Sequence, residues 1–200
     1  MNTSLTDMLD RAFGHPRGLL GRFGGSVMAY GNGPTERQVV DIAKPAGEET
    51  VLVIGPGPGV GLRYAAERAG LVIGVDPSAE MLETCGRRCA DAVAAQTVRL
   101  RTGSAAATGQ EPASVDIVLT VNNVQLWQDR AAGFAELVRV LRPGGRLVLS
   151  AHEKWLPVPR HVLAGEAEEA GFADVQTWTW QPPGALASTA AQLRAYRPAD

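Results

Sequence analysis

The chain has 200 residues, with 19 basic against 21 acidic side chains, a formal net charge of −2 and 45% hydrophobic residues. That suits one domain with a sizeable core and excludes wholesale disorder. The near-neutral balance leaves no electrostatic footprint for nucleic acid or an anionic membrane, and no apolar run reaches the roughly 18–20 residues of a membrane span. Met1 to Asp10 shows no basic cluster followed by an apolar stretch, and the only cysteines are Cys85 and Cys89. Both observations read as a cytoplasmic protein without a disulfide framework.

In chain order, the first fifty residues read as helical or irregular. Leu5, Met8, Leu9, Ala12 and Phe13 recur at helical spacing, Gly14-His15-Pro16 interrupts them, and a second apolar stretch runs from Leu19 to Met28. Gly31-Asn32-Gly33-Pro34 reads as a turn, with Thr35 as the cap of a helix reaching Ala43. Five short apolar or β-branched runs follow: 51–54, 71–75, 97–101, 115–121 and 146–150. Helical patterns lie between them near 60–69, 79–94 and 130–141. Alternation at this spacing predicts right-handed βαβ units and a parallel sheet covered on both faces. A helix near 160–170 stops at Gly171, and strands over 174–180 and 192–197 follow without a long helix between them. These two are expected to form an antiparallel pair at one sheet edge.

The most informative stretch is Val51-Leu52-Val53-Ile54-Gly55-Pro56-Gly57-Pro58-Gly59-Val60-Gly61-Leu62. A buried strand runs into a glycine-rich turn and then a helix, which lets a ligand approach the backbone at the carboxyl edge of the sheet. The dinucleotide fingerprint needs glycines at i, i+2 and i+5. From Gly55 the third position is Val60, and from Gly57 it is Leu62, so neither register fits. The Gly-Lys-Ser/Thr ending of a phosphate-binding loop is also absent.

Gly55, Gly57 and Gly59 resemble motif I of the class I S-adenosylmethionine-dependent methyltransferases. Gly74-Val75-Asp76-Pro77-Ser78-Ala79-Glu80-Met81-Leu82 is similar to that family's second strand and the helix after it. Thr102-Gly103-Ser104-Ala105 sits at the adenine-binding turn, and Val115 to Asn123 resembles motif IV. Leu137 to Leu147, with Arg142-Pro143-Gly144-Gly145, resembles the helix and turn before the fifth strand.

The resemblance implies a Rossmann-like α/β fold: a seven-stranded, mostly parallel sheet with an antiparallel last strand and an N-terminal helical lid. Residues 1–200 then form one domain, with 1–45 as lid, 46–151 as cofactor-binding core and 152–200 as a C-terminal helix and edge strands. It further implies S-adenosylmethionine as cofactor. Asp76 would hold the ribose hydroxyls, and Gly55, Pro56, Gly57 and Gly59 would admit the methionine end. Pro77, Met81, Ser104 and Ala105 would lie around adenine, and the Asn122 carbonyl would take the amino group. The alternative for Asp76 is a strand-end carboxyl capping its own helix. Tyr30 and Asn32 are candidates for the methionine moiety, or else a core tyrosine and a turn asparagine. Two positions depart from the family pattern: Val53 and Ser104 stand where it usually has carboxylates.

For the methyl acceptor, taken to be a small molecule, Asn123, Gln125 and Trp127 follow the fourth strand. The first two suit orienting an acceptor, and Trp127 would wall the pocket or belong to the core. His152, after the fifth strand, is the candidate general base, or else a solvated loop histidine. Glu153 is a weaker candidate, while His15 and His161 read as structural and solvated. Cys85 and Cys89 read as packing rather than metal ligands. A non-catalytic cofactor- or partner-binding relative, and a nicotinamide oxidoreductase, are the competing readings.

Overall fold

The computed structural model describes residues 32–183 and 187–199. The expectations placed on residues 1–31, Tyr30 among them, lie outside these. The described chain runs α1 (32–43), β1 (Thr50–Ile54), α2 (Val60–Ala66), β2 (Leu71–Asp76), α3 (Ala79–Arg88), α4 (Ala90–Ala94) and β3 (Val98–Thr102). It continues through β4 (Val115–Val121), α5 (Arg130–Val140), β5 (Leu141–His152), α6 (Arg160–Glu169), β6 (Ala173–Trp180) and β7 (Ala190–Tyr196).

The strands form one seven-stranded sheet in the order β3-β2-β1-β4-β5-β7-β6. Pairing is parallel from β3 to β5, whereas β7 runs antiparallel to both β5 and β6. β1 is central, and Val51 to Ile54 are all buried, which explains its unbroken apolar run. Alternate residues feed two layers. Val51 and Val53 pack with Val39 and Val40 of α1, Leu62 of α2 and Cys85 of α3. Leu52 and Ile54 face the other side, which holds Phe134 and Leu137 of α5 and Leu163 of α6.

Three expectations change. Residues 32–43 are already helical, so Gly33 and Pro34 belong to a helix rather than a turn, and Thr35 is buried inside it at 3% exposure instead of capping it. Val39, Val40 and Ala43 of this helix are buried against the sheet, and that packing outweighs the turn propensity of Gly33 and Pro34. The helix expected over 79–94 breaks at Cys89, whose φ of −107° and ψ of 22° leave the helical region. The Arg142–Gly145 turn is absorbed into β5. Pairing jumps from Val115↔Leu141 to Ile117↔Arg146, so the extra residues form a bulge that includes Gly144 at φ 76°.

Arg146 ties α1 to the sheet. Its guanidinium donates to the carbonyls of Ala43 and Lys44 and, at 2.8 and 3.0 Å, to both oxygens of Glu49. That bond is the first cause holding the Glu49 carboxyl below its ordinary pKa. On the opposite face, Phe134 is fully buried between Trp127 and Phe172, with ring centroids 5.4 and 6.3 Å away, both edge-to-face. Removing that ring leaves a cavity in the layer beneath β4 and β5. Phe134→Ala is expected to lose about 3–5 kcal/mol of stability, read by urea or thermal denaturation.

Candidate active site

The loop between β1 and α2 has three glycines at positive φ: Gly55 at 64°, Gly57 at 52° and Gly59 at 90°. Their surroundings differ. A β-carbon on Gly55 would run into the Asn123 side chain, so the β4 loop occupies that space. One on Gly59 would meet Cys85 Sγ at 2.8 Å, so α3 packs directly beneath it. Among the described residues, one on Gly57 would meet nothing within 4 Å. Of the three, Gly57 keeps its backbone open for a ligand, while the other two let protein side chains close in. Pro56 and Pro58 are buried, and the Pro58 carbonyl accepts from Arg88 Nε at 2.8 Å.

At the end of β2, Asp76 is 7% exposed and its Oδ1 accepts the Ser78 N–H at 2.8 Å. Ser78 in turn caps α3, its hydroxyl accepting from the Met81 N–H. Cap and carboxylate are thus both present, on neighbouring residues. Met81 and Ala105 are buried, each 6% exposed, and Pro77 is exposed. The Gly103 N–H donates to the Asp76 carbonyl, and Ser104 and Ala107 exchange backbone hydrogen bonds, leaving the Ser104 side chain exposed. The turn after β3 is therefore brought beside the end of β2, as adenine recognition requires.

At the ends of β4 and β5, Asn122 sits at φ 50°. Its Nδ2 donates to Asn32 Oδ1 at 2.9 Å and its Oδ1 accepts the His152 N–H at 2.9 Å. This side chain latches α1 to the sheet. The Asn122 carbonyl expected to meet the cofactor also accepts from Gln125 Nε2 at 2.9 Å. Asn123 Oδ1 accepts from Trp127 Nε1 at 2.6 Å, and the Trp127 ring lies over Gly133 and against Phe134. Trp127 accordingly has its ring in the core and only its N–H edge on the loop. Gln125 Oε1 is buried without a hydrogen-bond partner.

His152 is half-buried at the end of β5, edge-on to Trp155 with centroids 4.8 Å apart. Burial first, then the Lys154 ammonium, hold its pKa below the ordinary value, so the imidazole is neutral at pH 7. Its Nδ1 is buried without a partner. A neutral imidazole can accept a proton, which keeps His152 the base candidate. Glu153 is exposed and paired with Arg160 at 2.7 Å, and His161 is exposed. Among the described residues no cluster of three or more His, Cys, Asp or Glu side chains is arranged for a metal.

One site residue escaped the sequence pattern. Glu36 of α1 is 9% exposed and its carboxylate accepts the Gly61 N–H in the first turn of α2. Burial raises its pKa to about 7, against the lowering pull of the Gly61 N–H and the Arg88 charge. A glutamate at a helical spacing looks like any solvated helix residue. Only the apolar Val39 and Val40 that follow it hinted at an inward face.

The site is glycine-lined and sits at the carboxyl edge of β1, β2 and β4, with the Asp76 carboxylate at one end and the buried Met81 near it. An adenosyl group with a methionine tail fits that donor set: Asp76 suits a cis-diol, Met81 and Ala105 suit a planar base, and the open Gly57 backbone suits the tail. Gly55→Ala is expected to displace Asn123 and Trp127 and lose about 1–3 kcal/mol of stability. Gly57→Ala, with free space, is expected to lose only about 1 kcal/mol but weaken adenosyl-ligand binding tenfold or more. Thermal unfolding and titration calorimetry separate the two effects.

A methyltransferase domain family matches residues 52–149. The uncharacterized methyltransferase YdaC of Bacillus subtilis is 28% identical over 161 residues, covering 76% of this chain and 86% of that protein. Nocamycin O-methyltransferase of Saccharothrix syringae is 32% identical over 129 residues, covering 63% of this chain and 44% of that enzyme. The chain likewise spans 50% of the length of the mycobacterial relatives it matches. Among solved structures, Haemonchus contortus phosphoethanolamine N-methyltransferase 2 in complex with S-adenosylhomocysteine superposes with a TM-score of 0.77. It is 19% identical and covers 98% of this chain and 60% of that one. Sheet order, glycine loop and these matches agree: the chain has the fold of the class I S-adenosylmethionine-dependent methyltransferases, and its residues 52–149 match a methyltransferase domain.

Proposed function

We propose that this chain transfers a methyl group from S-adenosylmethionine to the O, N or C nucleophile of a small organic acceptor in the cytoplasm. The observation that carries the reading is the open backbone at Gly57, set in a loop whose other glycines are closed by Asn123 and Cys85. The relation to an O-methyltransferase named for nocamycin supports a small acceptor. The near-neutral charge argues against nucleic acid, and no described helix is long and apolar enough to cross a membrane.

S-adenosylmethionine supplies a methyl group already activated on a positively charged sulfur. The residues of this chain have to hold, align and shield. Asp76 holds the ribose hydroxyls. Met81 and Ala105, with Pro77 and Ser104 at the rim, flank the base. Gly55, Pro56, Gly57 and Gly59 shape the channel for the methionine end, helped by the Asn122 carbonyl. Much of the rate then comes from bringing acceptor, methyl and sulfur into line. Gln125, with its unpaired amide oxygen, orients a donor group of the acceptor. Asn123 keeps the Trp127 edge on the same loop. His152 takes the proton of an O–H or N–H acceptor.

Two outcomes are expected. Saturating S-adenosylmethionine or S-adenosylhomocysteine raises the unfolding midpoint by about 5–10 °C, and Asp76→Ala abolishes the shift. No shift at millimolar ligand overturns the reading. In labelled-methyl assays on small hydroxy and amino acceptors, kcat/KM falls on the acidic side of the ordinary imidazole range, because the His152 proton acceptor, its pKa lowered by burial, is lost there. His152→Gln removes that acidic limb and lowers kcat at least about 100-fold.

A further inference from the structure

We propose that Glu36 is the counter-charge of the glycine-loop cleft: ionised, it makes the cleft favour the cationic sulfonium donor over the neutral thioether product, and donor binding releases a proton from it. The inference rests on the cofactor reading above and concerns how the cleft tells donor from product.

The geometry comes from three elements. Gly61, whose N–H the Glu36 carboxylate accepts, lies two residues beyond the glycine loop. A β-carbon on Gly61 would stand 2.9 Å from Glu36 Cβ, so helix α1 is in contact with α2 here and the carboxyl has little room to swing away. Val39 and Val40, one turn further along α1, pack in the same cluster as Val53, the strand residue just before the loop. The carboxyl therefore lies on the Val53 side of the sheet, displaced toward the carboxyl edge where the cleft opens. Val53 itself is apolar and buried, so the strand contributes no charge there.

The groups facing Glu36 leave it partly uncompensated. Arg88 of α3 attracts it, but donates its Nε–H to the Pro58 carbonyl instead of pairing with Glu36. Cys85 of α3 is buried next to it, and the hydrogen bond with Cys89, then burial and the nearby Asp76 and Glu36, push that thiol up, so it stays neutral. Cys89 is close to Arg63 and Arg88. Arg37 and Asp41, on α1 itself, are exposed. Desolvation is what drives the carboxyl up to about 7, and a positive charge entering the cleft works in the opposite direction. S-adenosylmethionine carries one more positive charge than S-adenosylhomocysteine and so gains more from the ionised form. Linkage then requires that binding the cation expel the proton.

The test is calorimetric titration of the intact chain with each ligand between pH 6 and 8, in buffers of different ionisation enthalpy. For wild type, S-adenosylmethionine affinity is expected to rise about five- to tenfold from pH 6 to pH 8, with S-adenosylhomocysteine changing less than about twofold. Near pH 7 the donor should release a fraction of a proton more than the product. Glu36→Gln keeps the acceptor for Gly61 N–H and removes the charge. It is expected to abolish both the pH dependence and the extra proton, bringing donor affinity at pH 8 down toward the pH 6 value. This variant is expected to fold, with a midpoint at pH 8 no lower than wild type, because it no longer buries a charge. Unchanged donor and product affinities and proton release in Glu36→Gln would reduce Glu36 to a helix contact and overturn the proposal. Failure of wild type to bind either ligand would instead overturn the cofactor reading.

Discussion

The loop between β1 and α2 contains glycine and proline and no side chain capable of chemistry, yet the whole site is arranged around it. Glycine permits its positive φ angles but does not select them. Selection falls to neighbours that reach in from other parts of the chain: Asn123 over Gly55, Cys85 under Gly59, Arg88 on the Pro58 carbonyl, and Glu36 on the N–H of Gly61. What remains open is the backbone around Gly57. A cleft made this way is shaped by packing, and its loop contributes no charge of its own, which suits a ligand that carries its own reactivity.

The same logic governs the edge where β4 and β5 end. Asn122, held at positive φ, uses both ends of its amide, one to Asn32 and one to the His152 N–H. Gln192 of β7, fully buried, donates to Gln38 of α1 and, at 3.4 Å, to Ser150 of β5. Together with Arg146 at the other end of the helix, these contacts hold α1 along its length against the sheet. That position is what brings Glu36 to the glycine loop. Buried polar contacts of this kind add specificity because each is costly to leave unpaired.

Polar partners also divide the aromatic residues by role. Trp127 resembles a pocket wall when read in its loop, but Gly133 offers a flat surface and Phe134 an edge, so its ring goes inward. Its N–H then has to find an acceptor, and Asn123 supplies one. An asparagine expected to orient a substrate is thereby committed to a scaffold contact through one of its two polar atoms.

Strand positions, the order of motifs and the antiparallel C-terminal pair were legible in the sequence. They depend on local patterns: apolar runs for strands buried on both faces, glycine where φ turns positive, Ser78 capping α3. The strand-end position of Asp76, the placement of Met81 in the first turn of α3 and the positive φ of Gly55, Gly57 and Gly59 follow from the same local patterns. Gly33 and Pro34 look like a turn by propensity, and the contacts of α1 with the sheet override that preference. Glu36 was invisible because its role needs residues 25 positions apart to meet at one N–H, and the burial that raises its pKa comes from α2 and α3. Sequence alone determined the order of strands and helices along the chain, because that follows from periodicity and local conformational cost. Only the tertiary structure decided which side chains close the glycine loop, which glycine stays open and where a carboxyl is forced out of water, because those depend on contacts between segments distant in the chain.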